Sequence, residues 1–257
     1  MAVLRMKEQQ FEIDLVIFDK DGLLFDARYF WQRLAEARMR VLQPLLGEEG
    51  LAEWCELMGI TQAGMTAVDI NPSGIFALAP PQEEIIVTAS LLKVSAGGDW
   101  GVSRQRAAEA FQQSDEQFDL PGALQPKRGF PDIFCRLQQA AIPFGIATSD
   151  DYDRTIRSVG RYVPIEWLTC IVTPVDVEHG KPHPDMLQLI SRTTGVPLSR
   201  IAMLGDSFVD VEMACTAGCI GIGIPDDPGM AERMLPCASV ILESLDEIII
   251  QSAAVHI

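Results

Sequence analysis

Positive charge is scarce in this chain. Against 36 Asp and Glu there are only 20 Lys and Arg, a formal net charge of -16 over 257 residues. A surface of that sign repels phosphate backbones, which argues against general nucleic-acid binding, and it disfavours an anionic membrane surface. It still permits a small phosphorylated ligand, because one metal ion and one or two lysines reverse the field locally. No apolar run approaches the roughly 18 residues of a membrane span, and the N-terminus has no signal-peptide h-region. The six cysteines (Cys55, Cys135, Cys170, Cys215, Cys219 and Cys237) include no Cys-x-x-Cys pair, and most lie in apolar runs. They read as reduced core thiols. A cytoplasmic protein without nucleic-acid or membrane partners is the expectation. Internal repeats and low-complexity blocks are also missing, and the length suits one large domain or two modest ones.

What is present is an alternation of short apolar segments with helical ones. Strand candidates fall at 13–18, 143–148, 169–173, 201–205 and 221–224, with a weaker one at 239–242. Helical segments at 131–141, 152–159, 184–194 and 209–217 separate them. Strands alternating with helices of this length imply an α/β fold, a Rossmann-like, doubly wound parallel sheet. Residues 27–127 break the pattern. Helices are expected there at 29–43, 51–58, 83–94 and 104–118, with Pro44 ending or kinking the first. The expected organisation is a core of residues 1–26 and 128–257 with an inserted, mainly α-helical cap domain at 27–127.

The chemistry gathers at the strand ends. The run Ile13-Asp14-Leu15-Val16-Ile17-Phe18 leads into Asp19-Lys20-Asp21-Gly22, so two carboxylates stand at the carboxyl end of a central strand. Side chains this close repel unless a cation lies between them or one stays protonated. A divalent metal, a carboxylate nucleophile and a proton-carrying carboxyl would use such a pair; a solvated turn would also produce it. Thr148 and Ser149 end a second strand before a helix, where they suit a phosphate oxygen or a plain N-cap. Lys181, stiffened by Pro182 and Pro184, could screen charge between carboxylate and phosphate. His179 and His183 flank it but are not expected on one helical face, with no cysteine or carboxylate cluster to complete a zinc site. Asp206 and Asp210 come after the strand at 201–205 and could complete a hard-cation shell with Asp19, or merely cap the turn. Oxygen-only ligands point to Mg²⁺.

In this order, Asp19-Lys20-Asp21-Gly22, Thr148, Gly180-Lys181-Pro182-x-Pro184-Asp185 and Gly205-Asp206-Ser207-x-x-Asp210 resemble the four motifs of the haloacid dehalogenase-type phosphohydrolase superfamily. The insertion resembles its C1-type cap, as in members similar to phosphoglycolate phosphatase and β-phosphoglucomutase. The resemblance implies hydrolysis of a small phosphorylated metabolite through an aspartyl-phosphate. Asp19 would be the nucleophile and Asp21 the acid and base, its backbone carbonyl helping to hold the metal. Thr148 and the amides near Ser149 would bind the phosphoryl group, and Lys181 would neutralise charge. Asp19, Asp206 and Asp210 would bind Mg²⁺, with Asp210 either a ligand or a group that orients Lys181. Lys20 is expected to contribute its backbone N–H, because alternation along a strand turns its ammonium away from Asp19.

Asp21 argues against a dehalogenase, since halide needs no protonation. A phosphomutase uses the same core residues and stays open. A non-catalytic binding module would have lost the nucleophile, the lysine or a metal carboxylate, and all are present.

Overall fold

The computed structural model describes residues 2–252. In chain order its elements begin with β1 (Ala2–Met6), β2 (Gln9–Ile13), β3 (Leu15–Phe18), α1 (Ala27–Met58), β4 (Ile60–Ala63) and β5 (Thr66–Ile70). Next come α2 (Ile75–Leu78), α3 (Pro81–Ala96), α4 (Trp100–Gln117), α5 (Leu120–Ala123), α6 (Asp132–Gln139), β6 (Phe144–Ala147) and α7 (Tyr152–Val159). The chain closes with β7 (Leu168–Val172), α8 (Asp185–Thr194), β8 (Ile201–Gly205), α9 (Phe208–Ala217), β9 (Ile220–Gly223), α10 (Pro228–Met234), β10 (Val240–Ile241) and β11 (Ile249–Ser252).

Two compact units result, one running to Asp26 and resuming at Pro126, the other spanning Ala27–Gln125. The first is built on a six-stranded sheet of order β10-β9-β8-β3-β6-β7, parallel throughout. β3 stands where the order reverses, with β6 on one side and β8 on the other. Ligands of open α/β sheets bind at the carboxyl ends beside such a switch point.

The two-residue period of β3 explains the layers. Leu15 and Ile17 pack with Met186, Leu187 and Ile190 of α8 and with Met213 and Ala214 of α9. Phe18 points the other way and meets Phe134 of α6 with ring centroids 4.9 Å apart, and Phe134 stacks on Phe144 at 4.7 Å. All four β3 residues are therefore buried. The α/β reading is borne out.

The structure adds elements that the sequence did not announce. A three-stranded antiparallel sheet, β11-β1-β2, joins the two ends of the described chain. The run expected to be one strand from Ile13 is divided: Ile13 ends β2, and Asp14 turns the chain, its N–H on the Arg200 carbonyl at 2.9 Å. Within the inserted unit, α1, α3 and α4 are joined by an unforeseen β4–β5 hairpin. Helix α1 runs through Pro44 and is interrupted at Gly47, whose φ of 72° favours glycine. Pro44 only deletes one donor, so the break falls where the backbone is freest.

Candidate active site

Asp19 directly follows β3, and its N–H donates to the Leu204 carbonyl at 2.8 Å, which keeps it in register with β8. Asp206 directly follows β8. Neighbouring strands thus deliver their trailing carboxylates to one place. Lys181, from the loop before α8, puts its Nζ 2.5 Å from Asp19 Oδ1 and 2.6 Å from Asp210 Oδ1. Asp210 is aimed by its helix. Its Oδ2 accepts the Ser207 N–H at 3.2 Å, closing a capping box at the start of α9. Carboxylate oxygens of Asp19, Asp206 and Asp210 all lie within 4.8 Å of one another.

Two glycines make room for this convergence. At Gly22, where φ is 90°, an added Cβ would fall on the Asp206 carboxylate, and at Gly205 it would fall on that of Asp210. Any side chain at either position would displace a member of the cluster.

The charges are not balanced by protein alone. Burial pushes the Asp19 carboxyl up, Lys181 pulls it back and Asp210 raises it again, leaving it at about 6. Asp206 is held well above the ordinary carboxylate range by burial and then by its neighbours Asp19 and Asp210. Among the described residues, no protein donor is hydrogen-bonded to the Asp206 carboxylate. Burial alone would lower the Lys181 ammonium, yet Asp19 and Asp210 raise it, so it stays charged. Three clustered carboxylates against one lysine, all oxygen donors, fit a hard divalent cation.

Lys20 does more than lend its backbone N–H, which helps to lower the Asp19 carboxyl. Its side chain is completely buried, and its ammonium sits 2.6 Å from Asp21 Oδ1 and 2.9 Å from Asp150 Oδ2. Asp150, which the sequence reading passed over, is also gripped by Arg154 at 2.8 Å. Burial raises the Asp21 carboxyl, Lys20 opposes, Asp150 adds repulsion, and the net value is about 6. Replacing Lys20 by Met would leave two buried carboxylates without their ammonium. Loss of one partner of a buried pair costs about 3–5 kcal/mol, so Lys20→Met should unfold at clearly lower urea concentration. A midpoint matching the parent would show that the buried ammonium is dispensable.

Thr148 is buried after β6, where its N–H bonds to the Val172 carbonyl at 3.1 Å and its Oγ1 accepts the Asp150 N–H at 3.1 Å. Ser149 beside it is exposed. The cap of α7 is Asp151, which accepts the Arg154 N–H at 2.7 Å, so neither hydroxyl is spent on capping. Lys127 was also missed. Its Nζ donates to the Gly22 carbonyl at 2.5 Å and pairs with Asp226, tying the turn after Asp21 to the loop after β9. Only the position of Lys127, beside the return from the insertion, could have singled it out.

This chain belongs to the haloacid dehalogenase-like hydrolases, whose family model matches residues 13–218. It is therefore a hydrolase by family. It is 22% identical over 239 residues to a phosphoglycolate phosphatase of Shigella boydii serotype 4, covering 91% of this chain and 90% of that protein. Among solved structures it resembles a haloacid dehalogenase-type hydrolase, family IA, variant 3, of Entamoeba histolytica, with a TM-score of 0.59, 18% identity, and coverage of 92% and 96%. A Thermotoga maritima structure provisionally assigned as a beta-phosphoglucomutase aligns with a TM-score of 0.59, 18% identity, and coverage of 91% and 96%. At these identities the solved structures speak for the fold.

Proposed function

We propose that the chain is a Mg²⁺-dependent phosphatase that hydrolyses a small phosphate monoester, phosphoglycolate-like or a sugar phosphate, through an aspartyl-phosphate on Asp19. The observation that carries this is the convergence on Asp19 of one lysine and two further carboxylates at a sheet switch point. The full-length similarity to a phosphoglycolate phosphatase supports the substrate class.

Each step uses a placed group. An Asp19 carboxylate oxygen attacks phosphorus while the bond from phosphorus to the ester oxygen breaks, and Asp21 gives its proton to the departing alkoxide. In the second half Asp21 takes a proton from water as that water attacks phosphorus, releasing phosphate and regenerating Asp19. A carboxyl near 6 can both give and recover a proton around neutrality. Lys181 neutralises charge at Asp19, and Thr148 with the Ser149 amide holds the phosphoryl oxygens. Asp19, Asp206 and the Asp21 backbone carbonyl would hold Mg²⁺, which when bound acts as a Lewis acid on carboxylate and phosphate charge. Asp210, already bonded to Lys181, orients that lysine at the edge of the metal set.

The insertion would act as the cap that selects the ester. Its chain connections support this: Phe25 bridges Pro126, and the Lys127 N–H bonds to the Leu24 carbonyl at 2.9 Å, so both leave from beside the Asp21 turn. A panel of phosphoglycolate, sugar phosphates and nucleoside monophosphates, assayed with Mg²⁺ for released phosphate and for isomerised sugar phosphate, tests the reading. Phosphate release from one of these classes is expected. Isomerisation without release would make the enzyme a mutase, and no turnover of any ester would reject the proposed chemistry.

A further inference from the structure

A second cluster of metal-ligating side chains stands apart from the acidic centre, and its donors are of another kind. His179, His183 and Asp185 offer two imidazole nitrogens and a carboxylate oxygen, all within 4.8 Å of one another. In the sequence Pro182 keeps the histidines off a common helical face, and no cysteine or carboxylate cluster stands out to complete a set. The structure agrees that they share no helical face, since both precede α8, but it supplies the carboxylate. The histidines meet across a turn, in which the His183 N–H donates to the Gly180 carbonyl at 2.9 Å, and their ring centroids are 4.5 Å apart. Asp185, the first residue of α8, is the missing carboxylate. Its Oδ2 lies 3.1 Å from His179 Nδ1 and its Oδ1 lies 2.8 Å from His183 Nδ1. The His179 backbone N–H also donates to Asp185 Oδ2, at 3.1 Å, so the main chain holds the carboxylate in place.

We propose that His179, His183 and Asp185 bind one first-row transition ion of the zinc type, which clamps the loop carrying Lys181. The donor set decides the ion. Two nitrogens and one oxygen suit Zn²⁺ and its neighbours, whereas Mg²⁺ prefers oxygen alone. The spacing fits as well. Donors about 2.0–2.2 Å from a tetrahedral ion lie about 3.3 Å from each other. Each imidazole nitrogen already lies near that spacing from one oxygen of the same carboxylate, His179 Nδ1 3.1 Å from Oδ2 and His183 Nδ1 2.8 Å from Oδ1. One ligand atom from each residue falls within 4.8 Å of the others, so a small turn of the carboxylate and the rings completes the set. Access is free: the His179 and His183 side chains are 56% and 49% exposed, so an ion and its completing water arrive without opening the core. The consequence comes from chain position. Lys181 lies midway between the histidines with its ammonium committed to Asp19 and Asp210, and an ion joining residues 179, 183 and 185 closes the loop around it. Mg²⁺ would substitute poorly at the imidazole site, whereas Zn²⁺ has to be kept from the acidic centre by excess Mg²⁺.

The test uses the full-length, metal-stripped protein with Mg²⁺ in excess to fill carboxylate-only sites. Zn²⁺ is titrated against a chromophoric chelator, Co²⁺ is added separately for its visible absorption, and melting is followed with and without Zn²⁺. The parent should take up one equivalent of Zn²⁺, give the absorption of low-coordinate Co²⁺, and melt at higher temperature with Zn²⁺. His179→Ala and His183→Ala should each lose all three responses while keeping their circular dichroism, since both side chains are at the surface. A parent that takes up no Zn²⁺ would overturn the proposal. So would variants that bind as the parent does, or a signal that disappears only when the cysteines are alkylated, because the ion would then lie elsewhere.

Discussion

Asp19→Asn should abolish turnover while leaving the fold intact. The amide has nearly the shape of the carboxylate, so β3, its register with β8 and the packing beneath are undisturbed. The neutral amide is too weak a nucleophile to attack phosphorus, and it lacks the negative charge that a cation and Lys181 both use. Losing a nucleophile typically costs far more than losing an assisting group, and a fall of about 10⁴-fold or more is expected in kcat. Folding would be followed by circular dichroism and urea melting. Since burial and Asp210 oppose ionisation at this position, removing the charge should leave the metal-free protein at least as stable as the parent. Hydrolysis at a parental rate would end the covalent mechanism.

Removing the metal should be nearly as damaging. Stripping the enzyme with EDTA, or replacing Asp206 by Ala, should lower turnover by at least about 10²-fold, the scale of one lost electrostatic stabiliser. Added Mg²⁺ should restore the stripped parent and fail to restore the variant at the same concentration. The dependence on pH has a definite sign. The folded protein without metal holds Asp19 and Asp21 near 6, above their ordinary value of 3.8, so protons compete with the ion at Asp19. Apparent Mg²⁺ affinity should be complete well above pH 6 and should fall as pH drops through it. By the same linkage, the metal-free protein should lose stability as pH rises through that value, because the native state has to give up protons it holds more tightly than the unfolded chain. Undiminished activity in excess chelator, after stripping, would contradict the acidic centre as a metal site.

Most of the core was readable because each strand announces itself twice, first by an apolar run and then by the polar residues at its end. The run 201–205 matches β8 residue for residue, and 152–159 matches α7. Candidate site residues were visible for the same reason: Asp19, Thr148 and Asp206 each stand where a buried run turns polar. The features that escaped depend on partners distant in sequence. β1 pairs with β11, whose residues lie at the far end of the chain, and no local pattern encodes that register. Lys20 could not be placed without Asp150, which arrives from another strand end. His179 and His183 share no helical face, and it is a turn that brings their rings together. Lys127 resembles any surface lysine until Gly22 and Asp226 are seen beside it.

Covalent catalysis by Asp19 is tested most directly by trapping the intermediate. Asp21→Asn keeps the nucleophile but removes the group that activates water, so breakdown of the phosphoenzyme should slow more than its formation from an ester with a good leaving group. The variant would be mixed with such an ester and Mg²⁺, quenched in acid, digested and weighed by mass spectrometry. One phosphoryl group should appear on the peptide containing Asp19, and it should be absent from an Asp19→Asn/Asp21→Asn double variant. Hydrolysis of the ester with no phosphoryl group on that peptide, or the same adduct in the double variant, would contradict an aspartyl-phosphate at Asp19.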